Sequence, residues 1–122
     1  MNTGKKILIV EDDDLMVKIL EFIITKEGYL LFIAKDGIEA IKMLEEHKPD
    51  MLITDIMLPY KSGLEIINYT KQNSPNVRII VISALGGEER TVAEAFELGV
   101  DDFISKPFNP YELILRVRRL FV

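Results

Sequence analysis

The sequence contains no cysteine, which excludes disulfide bonds and cysteine-ligated metal sites as sources of stability. Its 122 residues are 48% hydrophobic, which is enough for one compact domain to bury a core without such support. We therefore expect one domain that spans residues 1–122.

A secretory signal pattern and an apolar run of bilayer length are also lacking, so no membrane association is expected. The chain lacks a basic excess as well: its net charge of −5 argues against direct binding to nucleic acid, whose phosphates attract cationic surfaces. These absences favour a cytoplasmic protein. They also predict that, if the protein acts on DNA, another domain must bind the DNA.

Short apolar runs of strand length recur along the chain and alternate with helical spacings. The predicted strands are Lys5–Val10, Tyr29–Ala34, Met51–Thr54, Val77–Ile82 and Asp102–Ser105. The clearest helical faces are Met16, Ile19, Leu20 and Ile23, then Val92, Ala95, Phe96 and Gly99, and lastly Leu113, Val117 and Leu120. Predicted helix N-caps are Asp14, Asp36 and Ser62, and predicted helix ends are Gly28 and Gly99.

The first strand, Ile7-Leu8-Ile9-Val10, is apolar without interruption, which indicates burial on both faces. A (βα)₅ doubly wound α/β fold with a parallel five-stranded sheet follows, and the flavodoxin-like strand order 2-1-3-4-5 suits it. Ligands bind such sheets at the carboxyl ends of strands 1 and 3.

Acidic residues gather at that edge. Strand 1 is followed by Glu11 and Asp12, and strand 3 by Asp55. Three neighbouring carboxylates repel one another unless a cation joins them, and oxygen ligands without His or Cys select a hard cation. Mg²⁺ fits a small, open cluster best, and Mn²⁺ is expected to substitute.

Two further polar residues stand at the same edge, Ser83 after strand 4 and Lys106 after strand 5. A hydroxyl and an ammonium can both contact an oxyanion bound to the metal. Phosphoryl transfer depends mostly on positioning and charge neutralisation, so the protein must supply only a carboxylate nucleophile. Asp55 is the central candidate.

Five segments then resemble one known family. They are Ile7-Leu8-Ile9-Val10-Glu11-Asp12-Asp13, Asp55-Ile56-Met57-Leu58-Pro59, Ser62-Gly63-Leu64, Val81-Ile82-Ser83-Ala84 and Asp101-Asp102-Phe103-Ile104-Ser105-Lys106-Pro107-Phe108. Together they resemble the receiver domain of bacterial two-component response regulators, over nearly the whole chain.

The resemblance implies a signalling switch rather than an enzyme that acts on other molecules. A partner histidine kinase would donate its phosphoryl group to Asp55. Mg²⁺ would be held by Glu11, Asp12, Asp55 and the backbone carbonyl of Met57. Lys106 would contact the phosphoryl oxygens. Ser83 would be the switch hydroxyl, Phe103 the switch aromatic, and the Lys106–Pro107 bond is expected to be cis.

The last helix resembles that of receivers attached to winged-helix DNA-binding domains, which dimerise through helix 4, strand 5 and helix 5. The resemblance is compatible with a stand-alone receiver and with a receiver followed by a C-terminal output domain outside this sequence, and also with a homodimer through that face. Suitable charged residues are Glu97, Asp101, Asp102, Glu112 and Arg116. Val92 stands where that subfamily usually has Lys or Arg, so one partner of Glu112 is missing.

Three other functions use similar residues or the same fold. A phosphatase of the haloacid-dehalogenase type needs a second Asp two residues after its nucleophile, where this chain has Met57. An FMN module needs a hydroxyl-rich phosphate loop after strand 1, where Glu11 and Asp12 would repel the phosphate. A receiver that only binds partners would not need the acid, hydroxyl and lysine set.

Single residues also have simpler interpretations. Asp13 and Asp14 are typical of an acidic helix start, and Phe103 fits core packing as well as switching. Met57 and Leu85 are apolar where water would approach an acyl phosphate, which predicts slow self-dephosphorylation.

Overall fold

A computed structural model describes residues 4–56, 62–84 and 89–122, without the side chains of residues 89–91. Within these ranges five strands alternate with five helices. The strands are β1 (Lys6–Val10), β2 (Leu30–Ala34), β3 (Met51–Thr54), β4 (Arg78–Ala84) and β5 (Asp102–Lys106). The helices are α1 (Asp14–Lys26), α2 (Gly37–His47), α3 (Gly63–Asn73), α4 (Glu89–Glu97) and α5 (Pro110–Leu120).

The strands form one parallel sheet in the order β2-β1-β3-β4-β5, which confirms the predicted topology. Strand order reverses between β1 and β3, so the crevice at their carboxyl ends is the switch point of the fold. In the described part of the chain, no helix combines the length and apolar character needed to cross a membrane.

Alternate residues of the strands enter two separate cores, as the period of a β-strand requires. Ile7 and Ile9 of β1 pack with α1 and α5 on one face of the sheet. Leu8 and Val10 pack with α2, α3 and α4 on the other face. All four side chains are fully or almost fully buried. Burial on both faces explains why this strand is apolar without interruption.

Two of the predicted helical faces are only partly buried: Ile19 of the first face is exposed, and so are Phe96 and Gly99 of the second. Ile19 is 37% exposed, although Leu20 and Ile23 of the same predicted face are buried. Phe96 is 47% exposed beside the fully buried Ala95. The apolar stripes on these helices are wider than the faces that contact the sheet, and the outermost residue of each stripe is left in solvent.

The predicted N-cap of the first helix was wrong by one residue. Asp13 has extended backbone angles and its carboxylate accepts a hydrogen bond from the Met16 backbone N–H, while Asp14 is already helical. Asp36 and Ser62 are N-caps, as predicted, and Ser62 forms a capping box with Glu65. Gly28 and Gly99 follow helix ends at φ +92° and +104°, which glycine adopts without steric cost.

Candidate functional site

Strand register brings the predicted site residues to one edge of the sheet. Val10 pairs with Thr54, so Glu11 and Asp55 follow neighbouring strands at the same level. Across the sheet, Ala84 of β4 pairs with Lys106 of β5. Ser83 and Lys106 lie inside β4 and β5 rather than just after them, because both strands run slightly further than predicted.

Asp55 is the centre of this cluster and is only 8% exposed. The Ser83 hydroxyl donates a hydrogen bond to Oδ1 of Asp55 at 3.3 Å. The Lys106 ammonium donates to Oδ2 at 2.7 Å, a charge-assisted bond of ordinary length. Each carboxylate oxygen therefore contacts one of the two donors that the sequence analysis predicted for a bound oxyanion.

Lys106 also reaches the second buried acid of the site. Its Nζ lies 2.9 Å from Oε1 of Glu11, so the ammonium bridges two carboxylates that follow β1 and β3. Burial of the amine opposes its charged form, but the hydrogen bonds to Asp55 and Glu11 outweigh burial and raise the pKa of Lys106 above its ordinary value. Lys106 is therefore a fixed positive charge at neutral pH.

The remaining acids occupy different environments. Glu11 is 3% exposed, and its Oε2 accepts a hydrogen bond from the Asp13 backbone N–H at 3.1 Å. Asp12 is exposed to solvent. Met57 and Leu85 lie outside the described residues, so the roles predicted for them stay predictions.

These residues fit a hard divalent cation by their chemistry. Glu11, Asp12 and Asp55 offer only oxygen ligands, and with Lys106 as the one ammonium among these four groups they leave two negative charges in excess when ionised. A doubly charged cation would neutralise that excess. Over residues 4–56, 62–84 and 89–122, three or more His, Cys, Asp or Glu residues do not converge closely enough to hold a metal ion. The Lys106 ammonium lies between Glu11 and Asp55 instead.

Gly63 keeps the backbone around Asp55 compact. A Cβ atom at this position would lie 2.3 Å from the Asp55 carbonyl oxygen and 2.6 Å from the Ile56 Cα, both backbone atoms that cannot move aside. The Gly63 N–H donates to the Ile56 carbonyl at 2.7 Å. Any larger residue would push the start of α3 away from the loop that carries Asp55. The Ser62-Gly63-Leu64 motif was the sequence signal for this contact.

Phe103 and the peptide bond after Lys106 complete the predicted set. Phe103 pairs with Val81 across β4 and β5, is partly buried, and packs against the core under α2, α3 and α4. Ser83 lies two residues beyond Val81 and therefore on the same face of the sheet. The Lys106–Pro107 bond is cis, as the resemblance implied.

Sequence reasoning missed a second charged cluster at the opposite end of β5. Asp102 is 8% exposed, and both of its oxygens accept hydrogen bonds from Arg116 Nη1 at 2.8 Å. Arg119 Nη2 donates to Oδ2 at 2.9 Å. Asp102 and Arg116 were assigned to a dimer surface, but here they bind each other within one chain. The i, i+3 spacing of the two arginines places them on one side of α5 but does not indicate their partner.

The chain is similar to known proteins along most of its length. The family model for the response regulator receiver domain matches residues 7–118. The alkaline phosphatase synthesis transcriptional regulatory protein PhoP of Bacillus subtilis (strain 168) is 37% identical over 117 residues. That match covers 96% of this chain and 48% of PhoP, so the chain spans about half the length of this curated relative.

Solved structures agree in fold. A response regulator structure from Chloroflexus aurantiacus J-10-fl is 32% identical with a TM-score of 0.87, covering 95% of this chain and 96% of that one. The chemotaxis response regulator CheY4 of Vibrio cholerae is 25% identical with a TM-score of 0.88, covering 97% and 99%. With the family model matched over residues 7–118 and the site residues at one sheet edge, this chain belongs to the response regulator receiver domain family, the signalling domains of two-component systems.

Proposed function

We propose that Asp55 accepts a phosphoryl group from a phosphohistidine of a histidine kinase, with Mg²⁺ bound beside it. One observation carries the proposal: the buried Asp55 carboxylate already accepts hydrogen bonds from the Lys106 ammonium and the Ser83 hydroxyl. The groups that would neutralise a phosphoryl oxygen therefore touch the nucleophile itself. An ordinary turn aspartate has no need of this arrangement.

In the transfer step, one carboxylate oxygen of Asp55 forms a bond to phosphorus while the phosphorus–nitrogen bond to the kinase imidazole breaks. The electron pair of that bond stays on the imidazole nitrogen. Lys106 would then exchange its 2.7 Å contact with Asp55 for a contact with a phosphoryl oxygen, and Ser83 would do the same from the other side. The low exposure of Asp55 limits attack by water on the product.

Mg²⁺ would be held by Glu11, Asp12, Asp55 and the backbone carbonyl of Met57, and Mn²⁺ would serve in its place. Bound there, the metal neutralises charge on the transferring phosphoryl oxygens. Glu11 would turn from Lys106 toward the metal, which frees the ammonium for the phosphoryl group. Net charge favours this exchange, because the ammonium that bridges Glu11 and Asp55 is the one positive charge for the three acids Glu11, Asp12 and Asp55.

Phosphorylation would change the protein surface through Ser83 and Phe103, which lie on the same face of the sheet. Ser83 pairs with Ser105, and Val81 with Phe103, so movement of the Ser83 hydroxyl toward a phosphoryl oxygen acts next to the Phe103 ring. Phe103 is only partly buried and could turn further inward. The surface of α4, β5 and α5 would change as a result, by a shift between two packings.

The rest of the pathway is proposed from similarity. Residues 1–122 would form one cytoplasmic receiver domain that controls transcription through an output domain, as the name of its 37% identical relative suggests. A homodimer through α4, β5 and α5 would form on phosphorylation. Asp101, Asp102 and Glu112 already have partners within the chain, and Val92 offers no charge, so the dimer would be weak.

The test is phosphoryl uptake from a small acyl phosphate, measured by intact mass with Mg²⁺ and with EDTA. The parent should gain the mass of one phosphoryl group only with Mg²⁺. Asp55→Asn keeps the shape of the side chain and should gain none. Asp13→Asn is the matched control: asparagine caps a helix as well as aspartate does, so this variant should behave like the parent.

Full uptake by Asp55→Asn would mean that another acid accepts the phosphoryl group, and Asp12 would be the first candidate. Uptake in EDTA equal to that with Mg²⁺ would remove the metal from the mechanism. A protein that released phosphate from phosphomonoesters with many turnovers would instead be a phosphatase.

A further inference from the structure

Strand β3 ends in a threonine whose surroundings are otherwise apolar. Thr54 is 1% exposed and follows residues 51–53, which are apolar and fully or almost fully buried. Its partners on the neighbouring strands are Val10 of β1 and Val81 of β4, which are buried as well. A hydroxyl in such surroundings costs free energy unless it forms a hydrogen bond. The Thr54 hydroxyl therefore needs a partner close by.

That partner is the backbone of the proposed nucleophile. The Thr54 Oγ1 donates a hydrogen bond to the Asp55 carbonyl oxygen at 2.8 Å. On the other side of the same Cα atom, the Asp55 N–H donates to the Val10 carbonyl oxygen at 3.2 Å. Because the Cα atom is tetrahedral, fixing its two backbone neighbours also fixes the direction of the Cα–Cβ bond. The hydrogen bonds on the two sides of Asp55 therefore aim its carboxylate.

The start of α3 lies against the same carbonyl group. A Cβ atom on Gly63 would lie 2.3 Å from the Asp55 carbonyl oxygen, and the Gly63 N–H donates to the Ile56 carbonyl oxygen at 2.7 Å. The peptide group that follows Asp55 thus contacts both Gly63 and the Thr54 hydroxyl. Gly63 sets a steric limit on its movement, while the Thr54 hydroxyl supplies a directional bond.

We propose that Thr54 is a positioning residue for phosphoryl transfer, whose hydroxyl holds the Asp55 backbone so that the carboxylate meets its two donors. These donors are the Ser83 hydroxyl at 3.3 Å and the Lys106 ammonium at 2.7 Å. The consequence for the reaction rests on the proposed function, whereas the effect on the carboxylate does not. Thr54 is buried and acts through Asp55, so it should affect the rate of transfer and not the binding of the donor.

Three variants separate the loss of this hydrogen bond from a loss of stability. Thr54→Val removes the hydroxyl and keeps the shape of the side chain. Thr54→Ser keeps the hydroxyl and removes a buried methyl group, which lowers stability without breaking the bond. Thr70→Val is the matched control, because Thr70 is also 1% exposed and its Oγ1 donates to the Ile66 carbonyl oxygen at 2.8 Å inside α3.

The first measurement is the rate of phosphoryl uptake from a small acyl phosphate with Mg²⁺, followed by intact mass over a series of donor concentrations. Thr54→Val should be roughly tenfold slower than the parent at saturating donor, because a carboxylate on a freer backbone is aligned with the phosphorus less often. The half-saturating donor concentration should not change. Thr54→Ser and Thr70→Val should react like the parent.

The second measurement needs neither donor nor metal. ¹H–¹⁵N spectra recorded in EDTA detect the Lys106 ammonium, which donates to Asp55 at 2.7 Å and to Glu11 at 2.9 Å in the parent. In Thr54→Val this signal should move toward that of a solvent-exposed lysine, because the Asp55 carboxylate is no longer held against the ammonium. In Thr54→Ser and Thr70→Val it should stay where it is in the parent.

The proposal requires both changes, so an unchanged rate or an unchanged ammonium signal in Thr54→Val would overturn it. Equal slowing of Thr54→Ser or Thr70→Val would overturn it as well, because a loss of stability would then explain the result. If the parent takes up no phosphoryl group, the proposed function fails, and the ammonium signal alone decides whether Thr54 positions Asp55.

Discussion

The two ends of β5 carry charge clusters of opposite design, and each contains at least one buried acid. At its carboxyl end, the Lys106 ammonium lies between the carboxylates of Glu11 and Asp55. At its amino end, the Asp102 carboxylate lies between the guanidinium groups of Arg116 and Arg119. One cluster has a single cation among acids, and the other has a single acid among cations.

The two clusters differ in the sign of their excess charge and in whether their partners can change. Asp102 accepts four hydrogen bonds: two from Arg116, one from Arg119 and one from the Phe103 N–H at 2.9 Å. Arginine is also always charged, so these ion pairs persist at neutral and alkaline pH. The carboxyl end has an excess of negative charge and a lysine that can change partners. Fixed ion pairs stabilise the fold, while acids held by one lysine that can change partners can take up a cation and a phosphoryl group.

Removing the central acid at the amino end should give the largest stability change. Asp102→Asn leaves the Arg116 and Arg119 guanidinium groups facing a neutral amide, so we expect the free energy of unfolding to fall by about 2 to 3 kcal/mol. Urea unfolding at neutral pH measures this.

Glu112→Gln is the matched control, because Glu112 is half exposed and lies 3.9 Å from the same Arg116. Such surface pairs contribute little, so this variant should lose less than about 0.5 kcal/mol. Equal losses in the two variants would mean that burial of Asp102 gives it no special role.

Of the two clusters, only the one at the carboxyl end of β5 could be predicted from the sequence. Glu11, Asp55 and Lys106 follow apolar runs, and parallel strands bring such positions together whatever the details of packing. Their chemistry was therefore readable from order along the chain.

The charged residues at the other end gave no such signal. Asp102 could face solvent or α5, and the choice depends on how α5 lies over β5, which no local pattern encodes. The exposure of Ile19 has the same origin, since helical spacing shows that a stripe exists but not how much of it the sheet covers. The N-cap at Asp13 rather than Asp14 differs by one residue among consecutive acids, any of which could cap.

Adding Mg²⁺ to the acids at the carboxyl end should give a stability change of intermediate size. Mg²⁺ that binds only the folded state, at ten times its dissociation constant, adds roughly 1.4 kcal/mol to the free energy of unfolding. For a domain of this size the melting temperature should rise by about 3 to 6 °C. Asp12→Asn removes one repelling charge and one ligand, so it should melt higher than the parent in EDTA yet gain little from Mg²⁺.

Thermal unfolding with and without Mg²⁺ measures both changes in one protein. Asp13→Asn, which keeps the helix cap, should retain the full gain from Mg²⁺. If Asp12→Asn were less stable in EDTA and still gained as much as the parent, Asp12 would be an ordinary surface acid and the metal site would lie elsewhere.

Alkaline pH should weaken the cluster around Lys106 but not the cluster around Asp102. We expect this to be the smallest of the three stability changes. The folded-state pKa of Lys106 is raised above its ordinary value of 10.5. A raised pKa means that the protonated amine stabilises the folded state fully below pH 10.5 and that this contribution is lost as pH rises through the folded pKa. Arg116 and Arg119 stay protonated over the same range, so the cluster around Asp102 should persist.

Lys106→Arg provides the control, because it keeps a positive charge beside Glu11 and Asp55 at high pH. Tyrosine ionisation affects parent and variant equally, since both retain Tyr29 and Tyr69, whose pKa values are raised by burial and by a hydrogen bond to Glu45 respectively. Urea unfolding at neutral pH and above the lysine range should therefore show a larger loss in the parent than in Lys106→Arg. An equal loss would mean that the ammonium adds nothing to stability and that its contacts with the two acids serve the site alone.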